Sequence, residues 1–526
     1  MFSCKKTLHF SYLSIALLLI FLTFFTYLNI LPNQLFYDDE ELIYKNKYLA
    51  DFKYFPRYFT ENMIAGAGKL SNMYRPILLL SFAIDHLLWG NNPLGYHLTS
   101  IFLHAANSIL VFLLVNCLFH NSLLAVVSAV FFIIHPVQTE AVAYASGRTD
   151  LLAFLFTLIS LLLSLSFLYT SRYQLLKYIS AIFFFILALL TKESAVIFPL
   201  LLLLVYKTGV DRIRKTVFKL TKIIIPIFLI DLVYIILRLT ILNFYNILNF
   251  YQTNNIYSQH ISVRLFTFAK VFFAYLGIFL FPKDLIFARD ISYITSFQNV
   301  WVILFIFVVS GFLAFSIIAW RKNRLFLFSL VWFLTTLLPV SGIVPINNII
   351  AEHYLYFPSV AVFLIFSCFI VFLWHRYKSL KFRTFFLLLL VFVSTVLVTR
   401  TMIRNLDWKS PLTFYSKSLA QSPWHIPMRH NLAMTYADQG EFARAIKEYE
   451  LIISAGNVYP QTHHNLANAY QAVGKYSEAE KEYRIAIGMD PDFIFSYYSL
   501  ADLYKRMNNI PKLNEIEEKL KTLQKL

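Results

Sequence analysis

The sequence predicts an all-α protein in two parts: a polytopic helix bundle that crosses a membrane about eleven times, then a small α-solenoid of repeated helix pairs. Three observations carry this. Of 526 residues, 58% are apolar and only 14% are charged, whereas an ordinary soluble domain carries about 25% charged residues. The charge is unevenly placed: residues 1–400 hold 31 Lys+Arg and 15 Asp+Glu, and residues 401–526 hold 15 and 14. Residues 423–509 then repeat with a period of 34. Together these exclude a soluble cytosolic enzyme, a disordered chain and a collagen-like one. The net charge of +17 is no sign of nucleic-acid binding, because nearly all of its excess sits in the apolar part. The length fits one large membrane domain, 1–404, and one small soluble domain, 405–526. Cys4, Cys117 and Cys368 are scattered and offer neither a disulfide framework nor metal-ligand spacing.

The first span lies between Lys6 and Asp38, where no charge occurs. It is long enough to cross, since a span needs roughly 20 apolar residues. No small-residue cleavage signal follows it, so it reads as a retained helix. Further spans are expected at about 94–118, 122–136, 149–170, 175–191, 194–207, 222–240, 299–320, 325–342, 354–374 and 383–400. Open backbone is not tolerated in lipid, so these must be helices.

Cationic loops orient the bundle. Lys5 and Lys6 place the N-terminus inside. Arg172 with Lys177, then Arg212, Arg214, Lys215, Lys219 and Lys222, form two further basic loops. Arg321, Lys322 and Arg324 form a third, and Arg376, Lys378, Lys381 and Arg383 a fourth. All four face the cytoplasm if the chain crosses eleven times and the apolar stretch 261–282 is left out. That stretch carries Arg264 and Lys270, and a cation at mid-bilayer costs about 2.5–3.5 kcal/mol. It is therefore assigned, with 76–90, to helices lying at the outer surface or re-entering from it. The C-terminus is then outside.

In the soluble part Asn431, Asn465 and Ser499 recur at 34 residues, as do Tyr436, Tyr470 and Tyr504, and Gly440, Gly474 and Asn508. Ala445 matches Ala479, and Tyr449 matches Tyr483. Small residues where paired helices touch, a turn glycine between them and a break at Pro423, Asn457 and Pro491 make the tetratricopeptide pattern. About three repeats are present. The third closes with a charged helix at about 511–524, and 407–421 reads as a second repeat helix without its first. Stacked pairs form a groove that binds protein or peptide, which makes Asn431, Tyr436, Asn465 and Tyr470 candidate acceptor contacts. Bracing or dimerising the membrane domain is the blander role.

Acids are scarce in the membrane part, yet Asp38, Asp39, Glu40 and Glu41 are consecutive, in a first outer loop spanning 31–75. A solvated loop can hold acids for solubility alone. Adjacent acids repel, however, and a clustered pair at a membrane surface serves as a base or a cation ligand. A divalent cation is therefore an open expectation, and no other cofactor or metal site is implied. The next outer loop, HPVQTEAVAYASGRTDLL, holds His135, Glu140, Arg148 and Asp150. These could pair among themselves, as Glu140–Arg148 with Asp150 on a backbone cap, or form a ligand site. Lys192 and Glu193 stand in TKES, and Glu352, His353, Tyr354 and Tyr356 in AEHYLYFPS. One topology puts every cluster on the side of Asp38. No Gly-rich phosphate loop, HExxH or CxxC occurs.

FYDDEELIYKN, YRPILLLSFAIDHLLWGNNPLGYHLTSIFLHAANSILVF, HPVQTEAVAYASGRTDLLA, TKES and AEHYLYFPS, followed by tetratricopeptide repeats, resemble in that order the transmembrane-and-tetratricopeptide O-mannosyltransferases. More broadly the chain is similar to bacterial relatives in the GT-C glycosyltransferase superfamily. The resemblance covers nearly the whole chain; 241–300 match only loosely, and the repeat array is shorter than in animal members. It implies a GT-C-like fold, a polyprenyl-phosphate sugar donor (mannose or a similar hexose) and a protein acceptor met on the extracytoplasmic side. It also implies a catalytic acidic pair, which falls on Asp38 and Asp39. One of the two would accept the acceptor hydroxyl's proton as the oxygen attacks the anomeric carbon with inversion. Arg75, Arg148, Lys192 and His353 are the expected cations for the phosphate; His135, Glu140, Asp150, Glu193, Glu352 and Tyr354 complete the expected donor site. The short array suits a bacterial inner membrane with periplasmic repeats; an endoplasmic reticulum membrane with lumenal repeats is the alternative. Two rival functions stand beside this one: a lipid-linked glycan ligase, polymerase or flippase, and a non-enzymatic repeat scaffold. The first calls for large basic outer loops, but the basic runs here lie inside; the second does not need eleven spans.

Overall fold

The computed structural model describes residues 11–169, 172–209, 217–244, 255–319, 324–344, 346, 348–456 and 459–523. It forms two compact units, one of residues 1–287 and 291–409, the other of 288–290 and 410–526. Lys5, Lys6, Arg212, Arg214, Lys215, Arg321, Lys322 and Asn457 lie outside the described residues. Among those described, every regular element is helical.

The first unit contains α1 (Tyr12–Tyr27), α2 (Pro76–Trp89), α3 (Pro93–Phe119), α4 (Ser122–Ile134) and α5 (Thr139–Ala143). Next come α6 (Arg148–Tyr169), α7 (Gln174–Leu189), α8 (Phe198–Gly209), α9 (Val217–Leu239) and α10 (Ile256–Gln259). The last five are α11 (Ile261–Leu280), α12 (Val300–Ala319), α13 (Leu325–Leu337), α14 (Ser359–Arg376) and α15 (Leu380–Leu406). By length and apolarity eight helices can cross a membrane, or nine if α4 and the stretch Pro136–Ala143 count as one broken span. Helices α12 and α15 leave nearly all their apolar side chains uncovered, as helices solvated by lipid do. The 56° break after α4 has a local cause: Pro136 lacks an N–H and holds His135 in extended backbone.

Hydrogen bonds fix which helix ends lie together. At one end, Asn405 Nδ2 donates to Thr26 O, Thr401 Oγ1 to Ile134 O, Ile77 N to Leu190 O and Arg238 Nη2 to Asn72 O. His97 Nε2 meets Asn33 O there, 3.1 Å away. At the other end, Asn116 Nδ2 donates to Tyr12 Oη and Arg324 Nη1 to Thr208 O, and Gly209 lies against Leu118 and Tyr169. Helices α1 and α3 have one end in each group and so run from one end to the other. Helix α11 passes the length test for a span but does not run end to end. Arg264, in its first turn, donates to Gly342 O, while Phe279 O meets His135 Nε2 and Arg400 donates to Pro282 O and Lys283 O. Both flanks of α11 are thus tied to the end that carries Asn33 and Asn405. Arg264 donates from Nε to Gly342 O and from Nη1 to Tyr257 O and Ser258 O, and its side chain is buried. Arg324, bonded to Thr208 O, and Arg172, three residues past Tyr169, belong to the opposite end.

The loop after α1 is folded. Leu35, Leu42, Ile43, Tyr48, Leu49, Tyr58 and Met63 bury against Leu78, Leu79 and Phe82 of α2 and against Tyr96. This core holds the acidic run in place.

In the second unit α16 (Pro411–Gln421) precedes three helix pairs: α17 (Ile426–Asp438) with α18 (Phe442–Ser454), α19 (Pro460–Ala472) with α20 (Tyr476–Met489), and α21 (Ile494–Arg506) with α22 (Ile510–Leu523). Ala433, Ala445, Ala467 and Ala479 are fully buried where paired helices touch. The turn inside each pair needs a left-handed residue, supplied by Gly440 (φ +76°), Gly474 (φ +78°) and Asn508 (φ +55°). Helix α22 closes the stack with Ile516 and Leu520 packed on the Tyr504 cluster. The expected boundary at 404/405 falls instead between Lys409 and Ser410, because Lys409 O still accepts from Gln34 N and Asn405 O from Asn33 Nδ2.

Candidate active site

The acidic run begins just beyond Tyr37, which adopts φ +62°, an uncommon conformation for a bulky side chain. Beyond it the two aspartates part: Asp38 is exposed and Asp39 is 2% exposed. Asp39 accepts from Ser146 N at 2.8 Å and Ser146 Oγ at 2.5 Å, with the Ala145 N–H as a third donor. The turn carrying Ser146 sits directly on α5: a Cβ on Gly147 would lie 2.8 Å from Glu140 O. Only glycine fits there, so the SGR sequence and the seat of Asp39 are one feature.

Aromatic rings wall the acids on one side. Tyr144 stacks on Trp408 at 5.0 Å, and Phe287 meets Tyr37 at 5.3 Å and Trp408 at 5.8 Å, edge to face. Cations lie on the other side. Arg75 and His353 are within electrostatic reach of Asp38. Arg75 pairs loosely with Glu193 at 3.4 Å, and Lys192 pairs with Asp150 at 2.6 Å while lying over the Tyr354 ring. His353 Nδ1 meets Glu140 Oε1 at 2.5 Å, and Glu140 Oε2 accepts from the Glu352 N–H. That contact turns Nε2 of His353 away from Glu140. Glu352 pairs with Arg404, which also holds Asp407.

Asp38, Asp39, Arg75, Glu140, Lys192, Glu193, His353 and Tyr354 are thus gathered at one end of the bundle. Three expected donor-site residues are spent elsewhere. Arg148 is wholly buried, ion-paired to Asp85 at 2.6 Å and donating to Tyr96 O, so neither the Glu140–Arg148 pair nor an Arg148 turned toward a phosphate occurs. His135 is buried with both ring nitrogens engaged, by Phe279 O and Val137 N. Glu352 is closed off by Arg404. The sequence reading missed Ser146, Asp85, Arg238, Arg404 and Trp408; the charge of Arg238, within an apolar span, was the available signal.

Although the Asp38 side chain reaches solvent, the protein packed around it withdraws much of its water and pushes it above the ordinary carboxylate value, against the opposing pull of Tyr144, Arg75 and His353. Asp39 is raised by burial to about 7, despite its Ser146 bonds. Desolvation works against Glu193 as well, but Arg75, Arg238 and Lys192 outweigh it and hold that carboxyl down to about 2. The end of the bundle therefore offers one exposed acid of raised proton affinity beside a cationic patch. Among the described residues no three His, Cys, Asp or Glu side chains converge on a metal position.

On the repeats, Asn431, Tyr436, Asn465 and Tyr470 are half-buried on α17 and α19. Asn465 reaches His430 at 3.4 Å, Tyr470 donates to Glu450, and Arg444 lies over Tyr436.

Comparison with known proteins agrees with this architecture. The tetratricopeptide repeat family matches residues 426–455 and 460–493. Protein O-mannosyl-transferase F38B6.6 of Caenorhabditis elegans is 25% identical over 463 residues, 85% of this chain and 63% of its own. Protein O-mannosyl-transferase TMTC2 of Homo sapiens is 36% identical over 140 residues, 26% of this chain and 17% of its own. The chain is similar in sequence to both of these proteins. It spans less than two thirds of the length of either relative. ArnT from Cupriavidus metallidurans, solved bound to undecaprenyl phosphate, aligns over 90% of this chain and 79% of its own at 12% identity and a TM-score of 0.41, a likeness too slight to build on.

Proposed function

We propose that this protein is an integral membrane glycosyltransferase. It moves a hexose, mannose or similar, from a polyprenyl-phosphate donor to a hydroxyl of an extracytoplasmic protein, with inversion. The observation that carries the reading is the division of labour between adjacent acids: Asp39 pinned by Ser146, Asp38 open beside cations. The relatives named protein O-mannosyl-transferases support it. So do the basic loop residues Arg172 and Arg324 at the end opposite the acids, since cationic loops of membrane proteins favour the cytoplasmic face.

In this mechanism Asp38 takes the proton of the acceptor hydroxyl. The oxygen bonds to the anomeric carbon as the bond from that carbon to the phosphate oxygen breaks, and the lipid leaves as its monophosphate. Arg75, Lys192 and His353 offset the charge that grows on the leaving phosphate. Asp39 acts as a positioning residue that holds the loop, and Glu140 fixes the ring of His353. Proton removal supplies about 10²–10⁴-fold, the remainder coming from positioning and phosphate stabilisation. The repeats recruit the protein acceptor through α17 and α19, raising its local concentration.

The test is transfer of radiolabelled sugar to a protein acceptor by the full chain in detergent. Release from polyprenyl monophosphate, with none from a diphosphate-linked glycan, supports the reading. The reverse preference would replace it with a lipid-linked glycan ligase.

A further inference from the structure

Helix α9 turns a narrow stripe inward: Leu220, Ile223, Ile227, Asp231 and Tyr234 are buried, at the three- and four-residue spacing of one helix face. Two of these five are polar. Asp231 is 5% exposed, and neither its Oδ1 nor the Tyr234 hydroxyl has a hydrogen-bond partner among the described residues. Close by, Arg238 donates to Asn72 O at 2.7 Å and to Leu242 O, which fastens the chain at Asn72 to the end of α9. The side-chain Oδ1 and Nδ2 of Asn72 are also buried without partners among the described residues. The Tyr234 hydroxyl lies within electrostatic reach of Glu193, Arg238 and Arg75.

Buried polar atoms are nearly always hydrogen bonded, and four unpaired ones, strung along one face of α9 and the Asn72 segment that Arg238 ties to it, call for an occupant. Its chemistry is constrained. A carboxylate accepts, a phenol donates and accepts, and a carboxamide does both. A lipid tail would leave all four unsatisfied. A cation would find one acid among the described residues of the patch apart from Glu193, which Arg75 already holds. An anion alone, having only acceptors, would leave the acceptor Oδ1 atoms of Asp231 and Asn72 unsatisfied. Hydroxyl groups attached to an anion satisfy every member, with the anion drawn to Arg238 and Arg75.

We infer that Asp231, Tyr234 and Asn72 form the subsite that hydrogen bonds the hexose hydroxyls of a glycosyl phosphate whose phosphate is drawn to Arg238 and Arg75. This rests on the function proposed above and names where the donor's sugar is read. A site built to pair with hydroxyls discriminates strongly against a ligand that lacks them.

The experiment measures binding of three probes to the full-length protein in detergent: polyprenyl-phosphoryl mannose, bare polyprenyl phosphate and mannose 1-phosphate. The wild type is expected to prefer the mannosylated lipid over the bare one by about tenfold or more. Asp231→Leu, Tyr234→Phe and Asn72→Ala are each expected to lower that preference toward unity while leaving affinity for bare polyprenyl phosphate unchanged. Melting of Asp231→Leu should be no lower than wild type, since an unpaired buried acid has been removed. Variants that keep the wild-type preference, or that weaken both lipids equally, would overturn the subsite. Equal affinity for mannose 1-phosphate and the mannosylated lipid would overturn its assignment to a lipid-linked donor. A wild type that binds neither lipid would instead remove the glycosyltransferase reading on which the subsite stands.

Discussion

Asp39 and Ser146 are joined twice, by the serine N–H at 2.8 Å and its hydroxyl at 2.5 Å, and this double bond ties the first loop to the turn ahead of α6. Ser146→Ala keeps the backbone donor and loses the hydroxyl. A hydrogen bond to a charged group is worth about 1.5–3 kcal/mol, so the variant should melt earlier and transfer sugar more slowly. Ser146→Thr, which retains the hydroxyl, should recover more activity than Ala. The comparison is one of initial rates and melting temperatures in the same detergent.

The acids also set a pH dependence. Asp39 is raised from 3.8 to about 7 by folding, so between those values the folded chain binds more protons than the unfolded one. Its contribution to stability therefore falls as pH rises through that window. Asp39→Asn should flatten that part of a melting-temperature profile. A slope identical to wild type would show that Asp39 does not titrate there.

Asp38 must be ionised to act as a base, and the loss of water to the protein packed around it raises its proton affinity while Arg75 opposes the rise. The acid limb of the transfer rate should therefore lie above the ordinary carboxylate range. In Arg75→Gln it should move further up in pH, separately from any weakening of donor binding. The full pH–rate curve of each protein gives the answer.

Arg148 and Asp85 form a buried pair 2.6 Å apart. Removing one partner strands the other charge, at a cost of about 3–5 kcal/mol. Arg148→Met alone should unfold readily, and Asp85→Leu with Arg148→Met should recover much of the loss. Equal melting of the single and double variants would show that the pair is not coupled.

Helix α11 has both flanks at the acid end of the bundle. Single cysteines at His260 and Lys283, in a background without Cys4, Cys117 and Cys368, should react with an impermeant thiol reagent from the same side of sealed vesicles. Labelling from opposite sides would make α11 a crossing.

What could be read from the sequence follows the range of the interactions. Asp38 and Asp39 stood out because acids are scarce in a membrane part, and Gly440, Gly474 and Asn508 because a repeat forces the same backbone angle at the same interval. The exclusion of 261–282 from the spans rested on Arg264 and Lys270, and the chain ties of α11 agree with it. Adjacency hid the differing fates of Asp38 and Asp39, which are set by Ser146, a residue far away in the chain. Arg148 read as a phosphate ligand for the same reason: its partner Asp85 lies on α2, and no local spacing reveals the pair. Asp231 is one charge in an apolar span, and only packing shows that its Oδ1 has no hydrogen-bond partner among the described residues.

The most direct test of the central claim is single-turnover transfer from radiolabelled polyprenyl-phosphoryl mannose to a protein acceptor by wild type, Asp38→Asn and Asp39→Asn. The division of roles predicts a loss of about 10²–10⁴-fold in Asp38→Asn with donor affinity retained. It predicts a smaller loss in Asp39→Asn, accompanied by a change in melting temperature. An Asp38→Asn protein that transfers mannose at the wild-type rate would contradict it.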